Sequence, residues 1–236
     1  MTRKIILLGF LPLAVFLIAG CQAQVPRLPA YIGQVEGLHD PQNSHPKSLP
    51  SAINQVGVLL LTDSSFPNAA PSLSSDMLAI LENRLVKKMD EYFGLQVVPL
   101  HSQMPVQPTG EVTPFTRLAT DQKLDFMLLA VLSSTEEESH VELGEERMMT
   151  RMPGVQIDNE ALAELALLDA DSGAVVLHAI GNGSSSMEQL VAPLGEDYPR
   201  KEDARDILRG NAAQQALDQA LLALQRQWGK SLVTGG

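Results

Sequence analysis

Phe126-Met127-Leu128-Leu129-Ala130-Val131-Leu132 is an unbroken apolar run of strand length. It is too short to cross a membrane as a helix, which takes roughly twenty residues. Apolar on both faces, it reads as a central strand covered on each side. Val56-Gly57-Val58-Leu59-Leu60-Leu61 is a second run of the same kind. Around them the period changes. Leu73, Met77, Ile80, Leu81, Leu85 and Met89 recur at helical spacing and predict a helix over 72–93. Ser72 is placed to cap it, Gly94 to end it, and Lys87 and Lys88 lie where the dipole favours cations. Leu95 to Leu100 reads as a short strand that Pro99 ends or confines to an edge. Thr113 as cap and Pro114 at the first position open a helix to about Gln122, with Phe115, Leu118 and Ala119 inward. Glu160–Leu168 admits alanine-rich helix or strand. The turn Asp169-Ala170-Asp171-Ser172-Gly173, with Ala174–Leu177 after it, decides for strand. Gly181 to Ser186 reads as the fading of that strand towards an edge, and Leu217, Ala220, Leu221, Leu224 and Trp228 mark a last helix over about 201–228. The expectation is an α/β fold: one mixed-sheet domain over 55–230 with helices packed on it, then a frayed tail, 231–236.

Upstream lies a different kind of chain. Arg3 and Lys4 precede an apolar stretch, Ile5 to Ala19, and then Gly20 and Cys21. The order and length fit a secretory leader rather than a spanning helix. Ile18-Ala19-Gly20-Cys21 resembles the bacterial lipobox. The resemblance implies a signal peptide over 1–20, cut between Gly20 and Cys21, and a Cys21 fatty-acylated on its thiol and its new amine. Gln22, where an Asp retains such proteins at the inner membrane, implies sorting to the outer membrane facing the periplasm. Several acyl chains, at roughly 0.8 kcal/mol per buried CH2, make a lasting anchor. Residues 21–54 follow without a sustained period, broken by Pro26, Pro29, Pro41, Pro46 and Pro50. They read as the acylated cysteine and a flexible, extended tether.

Composition narrows function. The leader removes two of 17 basic residues and no acid, leaving 15 against 28 acidic, a net of −13. Such a surface repels nucleic-acid phosphates and carries no basic patch for anionic lipid. Cys21 is the one cysteine, so an intrachain disulfide is impossible. One Trp and three Tyr make a sugar-stacking groove a poor expectation. No cofactor or metal is expected. His39, Asp40 and His45 fall in the tether with no further ligand close in sequence, and His101 stands alone at a strand end.

Candidate chemistry gathers after the first apolar run. Asp63, Ser64 and Ser65 stand at the C-terminal end of a buried strand, where α/β folds place ligands. They begin the metal-adhesion pattern Asp-x-Ser-x-Ser, but Pro67 at its fifth position breaks it, and turn chemistry explains them as well. Glu136, Glu137, Glu138, His140, Glu142, Glu145 and Glu146 read as a solvated arm, 134–157, whose glutamates alternate faces, with Met148, Met149 and Met152 near its tip. Gly181 to Ser186 lacks the Lys-Ser/Thr and the helix start of a phosphate cradle. There is no G-x-S-x-G elbow and no H-E-x-x-H helix.

The element order, with Lys123-Leu124-Asp125-Phe126 leading into the apolar strand and Asp171-Ser172-Gly173-Ala174 at the hairpin, resembles periplasmic lipoprotein domains of the CsgG, PelC and TolB-N-terminal type. The resemblance implies envelope assembly or secretion work, often in rings. An arm charged on both faces departs from the lipid-facing strands of the curli pore, so a self-made pore is not expected. The sequence therefore favours a non-enzymatic envelope lipoprotein with a membrane anchor, protein partners and homo-oligomers among its contacts. The alternatives are a small-ligand receptor at Asp63 and a hydrolase using Asp63 or Ser184 to Ser186.

Overall fold

The computed structural model describes residues 25–33, 55–100, 107–143, 152–190 and 201–234. The two apolar runs lie side by side: β1 (Gln55–Asp63) pairs in parallel with β3 (Phe126–Leu143) from Val56↔Phe126 to Asp63↔Ser133. β2 (Gln96–Pro99) adds a short parallel edge to β1, which leaves Pro99 where no central ladder is broken. β4 (Met152–Asp169) and β5 (Val175–Leu190) continue from β3 as an antiparallel meander. The result is one mixed sheet of five strands, ordered β2-β1-β3-β4-β5.

Helices cover both faces. Val56, Val58, Phe126, Leu128, Ala130 and Leu132 point to α2 (Ser75–Phe93) and α4 (Lys201–Thr234). The alternate residues Leu59, Met127, Leu129 and Val131 point to α1 (Leu28–Ile32) and α3 (Thr113–Asp121). Alternation of this kind makes the run apolar throughout, because both sides are inside. Arg84 fastens α2 to α4 through two hydrogen bonds to the Asp218 carboxylate, 2.9 and 2.6 Å.

Several boundaries depart from the sequence reading, each for a physical reason. α2 starts at Ser75, not Ser72: the Ser74 hydroxyl accepts from the Met77 N–H and both its backbone N–H and its hydroxyl are held by Asp206. Gly94 ends α2 as expected, in the left-handed conformation at φ +62°. No side-chain cap forms at α3, whose N-cap is Val112; Thr113 is already its first residue. Gly181 to Ser186 does not end β5, which runs on to Leu190. The glycines serve α4 instead: a Cβ on Gly183 would lie 2.1 Å from the Ala212 carbonyl oxygen. Ala212, Ala216 and Ala220 form the matching small face of the helix. α4 extends to Thr234, through most of the stretch read as a tail. β3 and β4 stay paired out to Leu143↔Met152, so the arm is a continuation of the sheet itself.

The largest difference is in the tether. Within it, Leu28 to Ile32 form α1, and Leu28, Tyr31 and Ile32 are buried in the core. A single turn of helix carries no period for the eye to find, and Pro29 at its start looks like a breaker while serving as a helix opener.

Candidate functional site

β1 is followed by β2 on one side, and the chain then crosses to β3 on the other. The C-terminal ends of β1 and β3 therefore flank a reversal of strand order, the place where open α/β sheets bind ligands. Asp63 ends β1 there, 4% exposed, and faces the α1 side of the sheet. Ser65 folds back on it: its N–H and its hydroxyl donate to Asp63 Oδ1 at 2.8 and 2.6 Å. Arg27 Nε donates to Asp63 Oδ2 at 2.9 Å, and Arg27 Nη2 donates to the Ser65 hydroxyl at 2.8 Å. The guanidinium also lies over the Phe66 ring, 5.3 Å from its centre. Burial opposes the Asp63 charge, but the Ser65 donors and Arg27 outweigh it and hold the carboxyl below its ordinary value. Burial, with the Asp63 charge second, pushes the Tyr31 phenol up to about 12. Ser64 is exposed beside Ser72, 3.5 Å away.

A second carboxylate completes the clasp. Glu164 on β4, 1% exposed, sits opposite Val131 on the same face. Its Oε2 accepts from the backbone N–H of Leu28 at 2.8 Å and from that of Arg27. Its other oxygen has no partner, and burial raises its pKa despite the two donors. The crevice at the strand ends is thus filled by the chain's own Arg27 and Leu28. On the α4 side of these strand ends, Leu73, Leu132, Ser134 and Arg209 line a cavity of about 20 Å3, which has room for roughly one water.

Further along the meander, Glu136 and Glu138 face α4. Arg209, 4% exposed, donates from Nε to Glu136 at 2.7 Å, while Arg205 reaches Glu136 at 3.2 Å and Glu138 at 2.6 Å. This half of the arm is ion-paired against a helix rather than solvated. Glu137 points the other way, into an open cleft of about 1480 Å3 that it shares with Pro26, Ala69, Thr135, Asp158 and Asn182. His178 on β5, 4% exposed, has no partner for either ring nitrogen, and burial lowers its pKa to about 4.

Asp63 and His178 share a face but not a site. Three strand spacings and four positions along β4 separate their registers, which is of the order of 20 Å. Ser184 to Ser186 lie mid-strand in β5. Gly20, Cys21, His39, Asp40, His45 and His101 lie outside the described residues, as do Glu145, Glu146, Met148 and Met149. Among the described residues no three His, Cys, Asp or Glu side chains gather as metal ligands do. No described helix is long and apolar enough to cross a membrane. Arg27, Glu164 and Arg209 were not singled out by sequence. Glu164 did carry a signal, as the one acid in Ala161-Leu162-Ala163-Glu164-Leu165-Ala166-Leu167-Leu168. A lone buried charge demands a partner.

No protein-family model matches the chain, and no curated protein matches it. Among solved structures it is similar to a neuraminyllactose-binding hemagglutinin homolog from Helicobacter pylori, at 12% identity over 80% of this chain and 92% of that one, TM-score 0.43. It is also similar to PelC from Paraburkholderia phytofirmans, solved as a dodecamer, at 14% identity over 76% and 91%, TM-score 0.33. A third is rare lipoprotein B from Shewanella oneidensis, at 12% identity over 78% and 100%, TM-score 0.31. The likeness is one of fold alone.

Proposed function

We propose that this chain is a lipid-anchored envelope lipoprotein that works through protein partners, without catalysis, as an assembly, secretion or scaffold component. The observation that carries the reading is the occupied crevice: where this fold would seat a small ligand, Arg27 and Leu28 are held by Asp63 and Glu164. That leaves extended surfaces for recognition, above all β5. It is 16 residues long and lies at the edge of the sheet, with no strand on its outer side among the described residues. Gln219 takes the Asn182 N–H and Gln227 donates to the His178 carbonyl, so α4 guards the near half of that edge. An edge of this kind offers a template for pairing with another chain. The lipobox residues Ile18 to Cys21 support the anchor, and Gln22 supports the outer membrane facing the periplasm.

Two experiments test this. A Cys21→Ser chain should take up no fatty acid and leave the membrane fraction, or keep its leader. A photocrosslinking residue at Ser184 or Ser186 should give discrete adducts in intact cells, and one at Asp171 in the far turn should not. Equal labelling at both places, or none, would refute a partner on the β5 edge.

A further inference from the structure

The far half of the β5 edge is bare. Gln219 takes the Asn182 N–H and Gln227 reaches the His178 carbonyl, so the even-numbered residues of β5 turn their backbone groups outward. Those groups alternate along a strand. Ser184, Ser186 and Glu188 therefore present theirs on the same side, and all three residues are exposed. α4 does not follow the edge that far. It crosses the meander obliquely: Arg209 pairs with Glu136 and Arg205 with Glu138, two strands in from the levels of Ser185 and Met187. Sheet edges are commonly blunted by lysines, prolines, bulges or a covering helix. Ser184 to Met187 carries no lysine and no proline, and the one register shift between β4 and β5 lies at the other end, by Leu168.

Charge decides what suits this edge. The chain holds 28 acidic residues, yet none of them, and no Lys or Arg, falls between Val175 and Met187. A cationic partner is drawn instead to the cleft, where Glu137, Asp158 and Glu160 gather. A neutral strip on an acidic body is where a second acidic body can approach. We infer that the β5 edge pairs with the β5 edge of a second copy of this chain, antiparallel about a two-fold axis at Ser186. The inference rests on the partner surface proposed at β5 and names its occupant. The contact is isologous, the same patch on both sides, and it joins two five-stranded sheets into one. In this register Ser186 faces itself, Ser185 faces Met187 and Ser184 faces Glu188, so no like charges are opposed. The outward groups of these strands form about six N–H···O bonds across the join. Ser184 lies beside Glu160 on β4, so Glu188 of one copy and Glu160 of the other stand two strand spacings apart. That is about 10 Å, one Debye length at 0.1 M salt.

The test uses the full chain in the membranes of the cells that make it. Cys21 is the one native cysteine, and the parent chain is the control that should form no disulfide. In Ser186→Cys the self-opposed Cα atoms lie about 5.5 Å apart, within reach of a disulfide, so mild oxidation should give a linked dimer of twice the chain mass. Ser184→Cys alone should give none, because its two copies are offset by four residues, roughly 14 Å. Ser184→Cys and Glu188→Cys made together should join as a mixed dimer. Ser186→Pro removes the outward N–H and leaves the β4 ladder intact, and Ser186→Lys opposes two cations. Both should turn the detergent-solubilised dimer into a monomer in sedimentation, with the melting temperature of the monomer unchanged. The absence of a linked dimer at 186 overturns the inference, as do dimers formed as readily through 184 alone. Photocrosslinked adducts at Ser184 and Ser186 that hold only a different protein also overturn it, yet leave β5 a partner edge; failure of that wider reading is the absence of any adduct there.

Discussion

Replacing Gly183 by alanine tests the packing that sets the whole α4 layer. Gly183 lies opposite Ala161 and faces α4. A Cβ there would sit 2.1 Å from the Ala212 oxygen and 2.6 Å from the Ala216 nitrogen. At Gly181 the distances are 2.2 Å to the Ala216 oxygen and 2.3 Å to the Ala220 nitrogen. All four atoms are backbone, so no side chain can swing aside. Ordinary contact starts at 3.4 Å, and α4 must retreat by about 1.3 Å, enough to forfeit roughly half or more of each dispersion contact across the gap. Leu217, Leu221 and Leu224 lie on that layer. Overpacking of this sort costs about 1–3 kcal/mol, offset by about 0.4–1 kcal/mol from the stiffer unfolded chain. A net loss of about 1.3 kcal/mol lowers Tm by about 3–5 °C in a domain of this size. Thermal unfolding of the leaderless chain, followed by far-UV circular dichroism, reads this directly. Gly229→Ala is the control: nothing lies within 4 Å of its Cβ and it is in a helix, so it should stabilise by up to about 1 kcal/mol. A Gly183→Ala chain that melts at or above the parent temperature would refute the reasoning.

Arg209→Ala should cost about 3 kcal/mol in denaturant unfolding, because it strips a partner from a Glu136 side chain only 10% exposed. The loss should persist in high salt, whereas Lys87→Ala, on a side chain 76% exposed, should change little. His178 predicts an acid-sensitive window. Its pKa falls from 6.5 to about 4 on folding, so the unfolded chain binds a proton that the folded chain refuses. Stability should drop by up to about 1.4 kcal/mol per pH unit as pH falls through that interval. Glu164, with its pKa raised, acts in the opposite sense and favours the fold at low pH. The His178 contribution is therefore read as the difference between the parent chain and His178→Leu at each pH. A constant difference from pH 7 to pH 4 would contradict it.

Much of the fold was written in local pattern. The runs at 56–61 and 126–132, the period of α2 and the turn at 169–173 each carry their own signal, and each element formed where its pattern lay. What stayed hidden depends on residues far away in the chain. The glycines of β5 look like strand breakers until the backbone of α4 is laid against them. Glu136 and Glu138 look solvated until Arg205 and Arg209, some seventy residues on, cover them. Asp63 could be chosen from its place at a strand end, but its partner Arg27 lies in a proline-broken stretch that advertises no structure. α1 is too short for periodicity, and the carboxylate that orders it is 136 residues downstream.

The meander of β3, β4 and β5 also sets an order of assembly. Its three strands are consecutive, and every rung joins neighbours along the chain, so it can zip up early at small loop-closure cost. β1 finds β3 only after α2, β2 and α3 have been spanned, and the N-terminal turn must wait for β4. Amide exchange should accordingly be slowest in the middle of β4 and fastest in α1. A nascent chain halted before Glu164 has no acceptor for the backbone N–H groups of Arg27 and Leu28, so the first described residues to be made are the last to settle.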